Sequence, residues 1–288
     1  MTAAFHSRSA LFMPASNPRA IDKARGLACD IVIVDLEDAV APDAKPDART
    51  AAVAAVSTGF GGRRPAIRIN GLETEWSVDD AAAVRGSRAD AVVVPKVSCA
   101  DDLVAARALL GEDGPPIWAM IETCAAILAL PTIAAAAATR TELLIAGTND
   151  LAKDMRCRPG ADRQPLLPAL AAIVTAGHAA GLVMLDGVCN AIDDPARFAA
   201  ECAQGASFGF DGKTLIHPSQ IDAANRAFGP SAAEVAWAER VIAAFADPAN
   251  AGRGAIRVDG EMVERLHLAE AERVVALRAP ADAGAQGK

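Results

Sequence analysis

The chain has no tyrosine, and phenylalanine and tryptophan together supply only 4% of its residues. So few flat rings leave no base-stacking platform for single-stranded nucleic acid. Positive charge is also short: 28 lysines and arginines face 36 acidic residues, a net charge of −8. An extended basic face is therefore not expected, although a local basic pocket for an anionic ligand is compatible with that balance. The six cysteines (Cys29, Cys99, Cys124, Cys157, Cys189 and Cys202) form no CxxC pair and keep no zinc spacing with a histidine. They read as small core residues of a reduced, cytoplasmic protein. No run suits a bilayer span: the weakly polar stretch 124–139 is mostly alanine and is interrupted by Pro131. The segment before Arg8 lacks the apolar core of a signal peptide. Neither a membrane nor a nucleic-acid partner is expected.

What the chain does have is apolar surface, 52% of its residues, arranged in a repeated phrase. A short β-branched run is followed by a polar cluster and then an alanine-rich helical stretch. The runs are Ala10–Met13, Ile31–Val34, Ala66–Ile69, Ala91–Val94, Ile117–Ile121, Leu143–Ala146, Leu182–Leu185 and Ala206–Phe210. Continuous rather than alternating runs fit parallel strands buried on both faces, and the spacers between them are long enough for crossover helices. Eight such units predict an α/β fold, a (β/α)₈ TIM barrel, over residues 1–230. The first turn, MPASNPR, lacks the GxGxxG of a dinucleotide fold. Residues 231–288 break the phrase and read as a C-terminal helical and hairpin appendage, a lid or oligomer contact. It comprises a helix opened by the Ser231/Glu234 capping box, a hairpin turning at Asp259 and Gly260, a last helix from Glu264 to about Arg278, and a disordered tail.

In such barrels the chemistry sits where the strands end. Those ends are polar here: Asp35, Glu37 and Asp38 follow the second run, Arg68 and Asn70 the third, and Lys96 the fourth. Glu122, Asp150 and Asp186 follow the next three, and Asp211 and Lys213 the last. Glu122 and Asp150 end neighbouring strands. Two carboxylates with room for water and substrate oxygens suit octahedral Mg²⁺, and no adjacent histidine argues for zinc. The competing reading is a pair of helix-capping or solvated acids. Arg68 presents a planar fork that matches a carboxylate, or else pairs with Asp35, Glu37 or Asp38. Arg19 and Lys23 share a helix face that could meet phosphates or simply be solvated. His217 reads as a structural hydrogen-bonding residue ahead of a catalytic one.

At these residues the sequence resembles the citrate lyase β-subunit-like (HpcH/HpaI aldolase/citrate lyase) family of CoA-ester lyases, near its malyl-CoA lyase/thioesterase and citramalyl-CoA lyase group. The segments that carry the resemblance are RSALFMPASNPRAIDKA (8–24), DIVIVDLEDAVAPDAKPDAR (30–49), IRINGLETEW (67–76), VVVPKV (92–97), WAMIET (118–123), GTNDLAKDM (147–155) and GFDGKTLIHPSQI (209–221). The resemblance implies Glu122 and Asp150 as Mg²⁺ ligands, with Glu122 and Arg68 also meeting substrate. It implies Asn17, Arg19 and Lys23 at CoA, Glu37 and Asp38 as acids lining the pocket, and a homotrimer or hexamer. Ala15 and Ala126 stand where glycines are common. The C-terminal MxDxP segment of many family lyases reads Met262, Val263, Glu264, Arg265, Leu266, His267, so Glu264 is the implied acid/base.

The function so implied is Mg²⁺-dependent cleavage of malyl-, methylmalyl- or citramalyl-CoA to a 2-oxo acid and acetyl- or propionyl-CoA. The Glu264 departure and its MVExLH context keep (3S)-malyl-CoA thioester hydrolysis at the same site as the alternative. A citrate lyase β subunit and a non-enzymatic CoA-binding protein are further alternatives.

Overall fold

The computed structural model describes residues 6–277. The predicted disordered tail and the last residue of the predicted final helix lie outside that range. The chain divides into two compact units that meet in sequence between Phe228 and Gly229.

The first unit begins with β1 (Ser9–Pro14), α1 (Pro18–Ala24), β2 (Ile31–Asp35), α2 (Lys45–Thr58), β3 (Arg64–Arg68) and α3 (Ser77–Arg85). It continues through β4 (Ala91–Val94), α4 (Ala100–Leu110), β5 (Ile117–Ile121), α5 (Cys124–Ala134), β6 (Thr141–Ala146) and α6 (Thr148–Asp154). Then come α7 (Leu167–Ala179), β7 (Val183–Asp186), α8 (Pro195–Phe208), β8 (Gly212–Leu215) and α9 (Ile221–Phe228). The strands run in order from β1 to β8, all parallel, and β8 closes on β1. The predicted (β/α)₈ barrel is the observed fold. Continuous apolar strands demand burial on both faces, and β2, β4 and β5 are buried along their whole length.

The eighth strand is displaced from its predicted position. Ala206–Phe208 finish α8, and Gly209, at φ 95°, ends that helix in the left-handed conformation glycine tolerates. The strand itself is Gly212–Leu215, whose lysine hides it from an apolar-run search. Lys213 is fully buried because Asp186 Oδ2 and the Gly187 carbonyl accept from its ammonium at 2.9 and 2.5 Å. Asp211 therefore precedes the strand instead of ending it, and its carboxylate accepts from the Met184 N–H at 2.9 Å.

The second unit contains α10 (Ala232–Ala246), the antiparallel pair β9 (Ala255–Val258) and β10 (Glu261–Glu264), and α11 (Arg265–Ala276). Ser231 and Glu234 form the capping box at the start of α10. Asp259 and Gly260 turn the hairpin, both at positive φ, as a two-residue primed turn requires. Its small core holds Ala238, Val241, Ile256, Val258, Val263 and Ala271. Among the described residues no helix is long and apolar enough to cross a membrane.

Candidate active site

The strand ends of β1, β2, β3, β5, β6 and β8, with the segments after β2, β6 and β7, line a pocket of about 370 Å³. Phe12, Asp35, Asp38, Arg68, Met120, Glu122, Asn149 and Asp150 are among the residues around it.

Arg68 lies at the last position of β3 and is almost fully buried. Its Nε and Nη2 donate to the two oxygens of Asp35 at 2.6 and 2.8 Å, and Nη1 reaches Glu37 Oε2 at 2.9 Å. Phe12 lies 4.8 Å beneath the guanidinium. Burial would lower the Arg68 pKa, but Asp35, Glu37 and Asp38 outweigh it, so the group stays charged. Arg68 thus lines the pocket, and of its two readings the pairing with Asp35, Glu37 and Asp38 is the one observed. Asp35 is held in turn by the backbone N–H groups of Glu37 and Ala39 at 2.9 and 3.2 Å. Asp38 is the looser acid, with its side chain 61% exposed and 3.6 Å from Arg68 Nη1.

The loop that carries Glu37 is pinned from below. Buried Lys45 donates to the Leu36 and Glu37 carbonyls at 2.9 and 3.0 Å and to Asn70 Oδ1 at 2.5 Å. Glu37 is itself buried, which pushes its pKa up against the pull of Arg68 and Lys96.

Glu122 follows β5 directly and is 2% exposed. Its Oε1 accepts the Lys96 backbone N–H at 2.7 Å. Burial, with smaller contributions from Glu37 and Asp150, drives its pKa up to about 7. Asp150 sits in the first turn of α6, half-buried on the same pocket. Gly147 makes this approach possible, because a Cβ there would overlap the Glu122 side chain. Among the described residues no group of three or more His, Cys, Asp or Glu side chains could hold a metal by itself. A hard divalent cation that keeps several waters needs only one or two carboxylates. The buried, proton-hungry Glu122 beside Asp150 fits such an ion, whose charge would reverse the upward pressure on Glu122.

The remaining predicted residues fall elsewhere. Asn17 caps α1, its Oδ1 accepting from Ala20 N at 3.1 Å, and Arg19 and Lys23 are exposed on that helix. Asp186 does not join the pocket acids: it is fully buried and bound to Arg163 and Lys213. Burial works against its charge, but those two cations prevail and hold its carboxyl below the usual range. His217 Nδ1 bonds Ser219, the structural role expected of it. Glu264 belongs to the second unit, where it precedes α11 and its N–H donates to His267 Nδ1 at 2.8 Å. Lys45 was not singled out by the sequence, Asp35 appeared there only as a strand-end acid and possible partner of Arg68, and Lys96 only as a strand-end charge. A charge at the end of a fully apolar strand, as at Asp35, is the signal that such a partner is needed.

A closed barrel with a buried Glu122, a half-buried Asp150 and a paired arginine at its strand ends defines a (β/α)₈ enzyme with a candidate divalent-cation pocket. The model of the HpcH/HpaI aldolase/citrate lyase family matches residues 8–218, and the chain belongs to that family. It is 46% identical over 270 residues to a (3S)-malyl-CoA thioesterase of Cereibacter sphaeroides, covering 93% of each chain. An L-malyl-CoA/β-methylmalyl-CoA lyase of the same species is 33% identical over 297 aligned positions, again with 93% of each covered. Among solved structures, protein CitE from Mycobacterium tuberculosis in complex with magnesium, acetoacetate and coenzyme A superposes with a TM-score of 0.75. That match is 30% identical and covers 95% of this chain and 97% of the other.

Proposed function

We propose that this chain is a Mg²⁺-dependent enzyme acting on small 3-hydroxyacyl-CoA thioesters of the malyl-CoA type. The observation that carries this reading is the meeting of Glu122, Asp150 and Arg68 on one pocket. Glu122 and Asp150 are the residues that would hold the ion, which supplies Lewis acidity toward the acyl oxygens. Arg68, fixed by Asp35, offers a fork for the terminal carboxylate of the acyl group. Phe12, Met120 and Val188 give the pocket its apolar wall, which limits water around the reacting bond. We assign Arg19 and Lys23, exposed on α1, to the phosphates of CoA.

Two outcomes share this site. In hydrolysis water attacks the thioester carbonyl, the C–S bond breaks, and CoA leaves with a proton. In cleavage the hydroxyl loses its proton, the carbon–carbon bond breaks, and the resulting acetyl-CoA enolate is protonated at carbon. The sequence placed cleavage first. The thioesterase relative is more similar to this chain than the lyase relative, and the MVExLH segment points the same way, so hydrolysis has at least equal support. We assign Glu264 the acid/base role in either outcome, and the second unit a role as lid and oligomer contact in a cytoplasmic trimer or hexamer.

Incubation with malyl-CoA, followed by trapping of 2-oxo acid as its phenylhydrazone and titration of free thiol, tests the proposal. Thiol and hydroxy acid without oxo acid establish hydrolysis; oxo acid in step with acetyl-CoA establishes cleavage. No turnover of malyl-, methylmalyl- or citramalyl-CoA with Mg²⁺ present overturns the substrate class.

A further inference from the structure

Lys96 follows β4 on the turn beside the pocket, and its backbone lies at φ 56°. Glycine adopts that conformation freely, while a residue with a Cβ pays in steric strain, so a lysine here calls for a reason in its side chain. The reason is visible in its two ends. The backbone N–H donates to Glu122 Oε1 at 2.7 Å, and the ammonium donates to Glu37 Oε1 at 2.9 Å. The other oxygen of Glu37 faces Arg68 Nη1 at 2.9 Å. One residue therefore joins the candidate metal carboxylate to the carboxylate that restrains the candidate substrate arginine. The Lys96 side chain is 40% exposed, whereas that of Glu37 is 8% exposed, so Lys96 approaches Glu37 from the solvent side.

We propose that Lys96 is a positioning residue: its backbone orients Glu122, and its ammonium holds Glu37 in the place that keeps the Arg68 fork aimed into the pocket. Glu37 is shared between two cations. When a substrate carboxylate takes an Arg68 N–H, Lys96 keeps Glu37 from following the guanidinium or turning toward the acids at Glu122 and Asp150. The same ammonium adds positive charge beside the acid pair, so it opposes a bound cation electrostatically.

These two effects give removal of the ammonium an unusual signature. Lys96→Gly keeps the left-handed turn, and with it the backbone bond to Glu122, and deletes only the side chain. Mg²⁺ affinity by calorimetry should stay within about twofold of wild type or become tighter. Turnover of malyl-CoA at saturating Mg²⁺ should fall by about tenfold or more in kcat/KM. Lys96→Arg should recover part of that loss. Because Lys96 acts through Glu37, Lys96→Gly added to Glu37→Gln should cost no more than Glu37→Gln alone. Lys96→Asn, which also tolerates the turn, serves if the glycine variant does not fold.

The proposal rests on the functional reading above, and its failure is separable from failure of that reading. Unchanged Mg²⁺ affinity in Glu122→Gln would overturn the metal assignment itself. With that control behaving as expected, three results overturn the role of Lys96: Mg²⁺ affinity and turnover falling together, full additivity with Glu37→Gln, or wild-type turnover in Lys96→Gly.

Discussion

Gly147 leaves no room for a Cβ beside Glu122: an added methyl would overlap both the carboxylate and the Cβ of that glutamate. The N–H of Gly147 meanwhile donates to the Ile121 carbonyl at 3.0 Å, so the backbone there is tied to β5 and cannot easily retreat. Gly147→Ala should therefore expel Glu122 from its position while leaving the barrel folded. A displacement near 1 Å at a reacting site costs on the order of 10²-fold in rate. We expect a loss of that size in kcat/KM and weakened Mg²⁺ binding by calorimetry. Full activity in the alanine variant would mean that the observed place of Glu122 is not the working one.

The Glu122 carboxyl, held up to about 7 chiefly by burial against an ordinary 4.5, makes pH a second test. Between those values the folded, metal-free chain binds a proton that the unfolded chain does not. That contribution to stability is fully present below about 4.5 and is lost as pH rises through 7. Mg²⁺ needs the carboxylate, so its affinity should rise over the same window, with proton uptake by the buffer. Melting temperatures in chelator and in Mg²⁺, at pH 5 and pH 8, should show the larger Mg²⁺ stabilisation at pH 8. Glu122→Gln should abolish that difference. An equal Mg²⁺ shift at both pH values would contradict the shifted carboxyl.

Arg68 makes both of its bonds to Asp35 with a planar fork. A lysine supplies charge without that geometry, so Arg68→Lys should be nearly as damaging as Arg68→Ala in catalysis. A loss of roughly 2–4 kcal/mol in transition-state stabilisation is expected, the scale for truncating one partner of a buried charge pair. The alanine variant should also be less stable, because it strands the buried Asp35 and Glu37 carboxylates. Steady-state kinetics and thermal unfolding separate the two effects. Near-wild-type kcat/KM in Arg68→Lys would confine Arg68 to a structural role.

The barrel was legible because burial on both faces of a parallel strand demands unbroken apolar runs, and seven of the eight runs overlap the observed strands. The last escaped because Lys213 interrupts it, and the ion pair that makes a buried lysine tolerable joins residues 27 apart in sequence. The site divides in the same way. Glu122, Asp150 and Arg68 announce themselves as charges after apolar strands. Asp186 carries the same local signal but is consumed by Arg163 and Lys213. Lys96 could be seen at a strand end, yet its bond to Glu37 spans 59 positions and its positive φ is a tertiary fact. Local pattern locates charges; only packing tells which of them are already neutralised.

Glu264 belongs to the second compact unit and the barrel acids to the first, and this sets up the last test. If it serves the site of a neighbouring subunit, each working site combines Asp150 of one chain with Glu264 of another. Glu264→Ala and Asp150→Asn homo-oligomers should then each be inactive. Mixed at equal amounts in a cyclic assembly, random neighbours would rebuild an intact site with a probability of one half for each residue, or about one quarter of wild-type activity. If Glu264 serves its own subunit, no mixture contains a chain with both residues and activity stays at the level of the single variants. Unfolding and reassembling tagged subunits, with mass measurement to confirm mixed oligomers, makes the comparison direct. About one quarter of wild-type turnover supports a shared site. Baseline turnover in verified mixed oligomers places Glu264 within its own subunit's site or outside the chemistry.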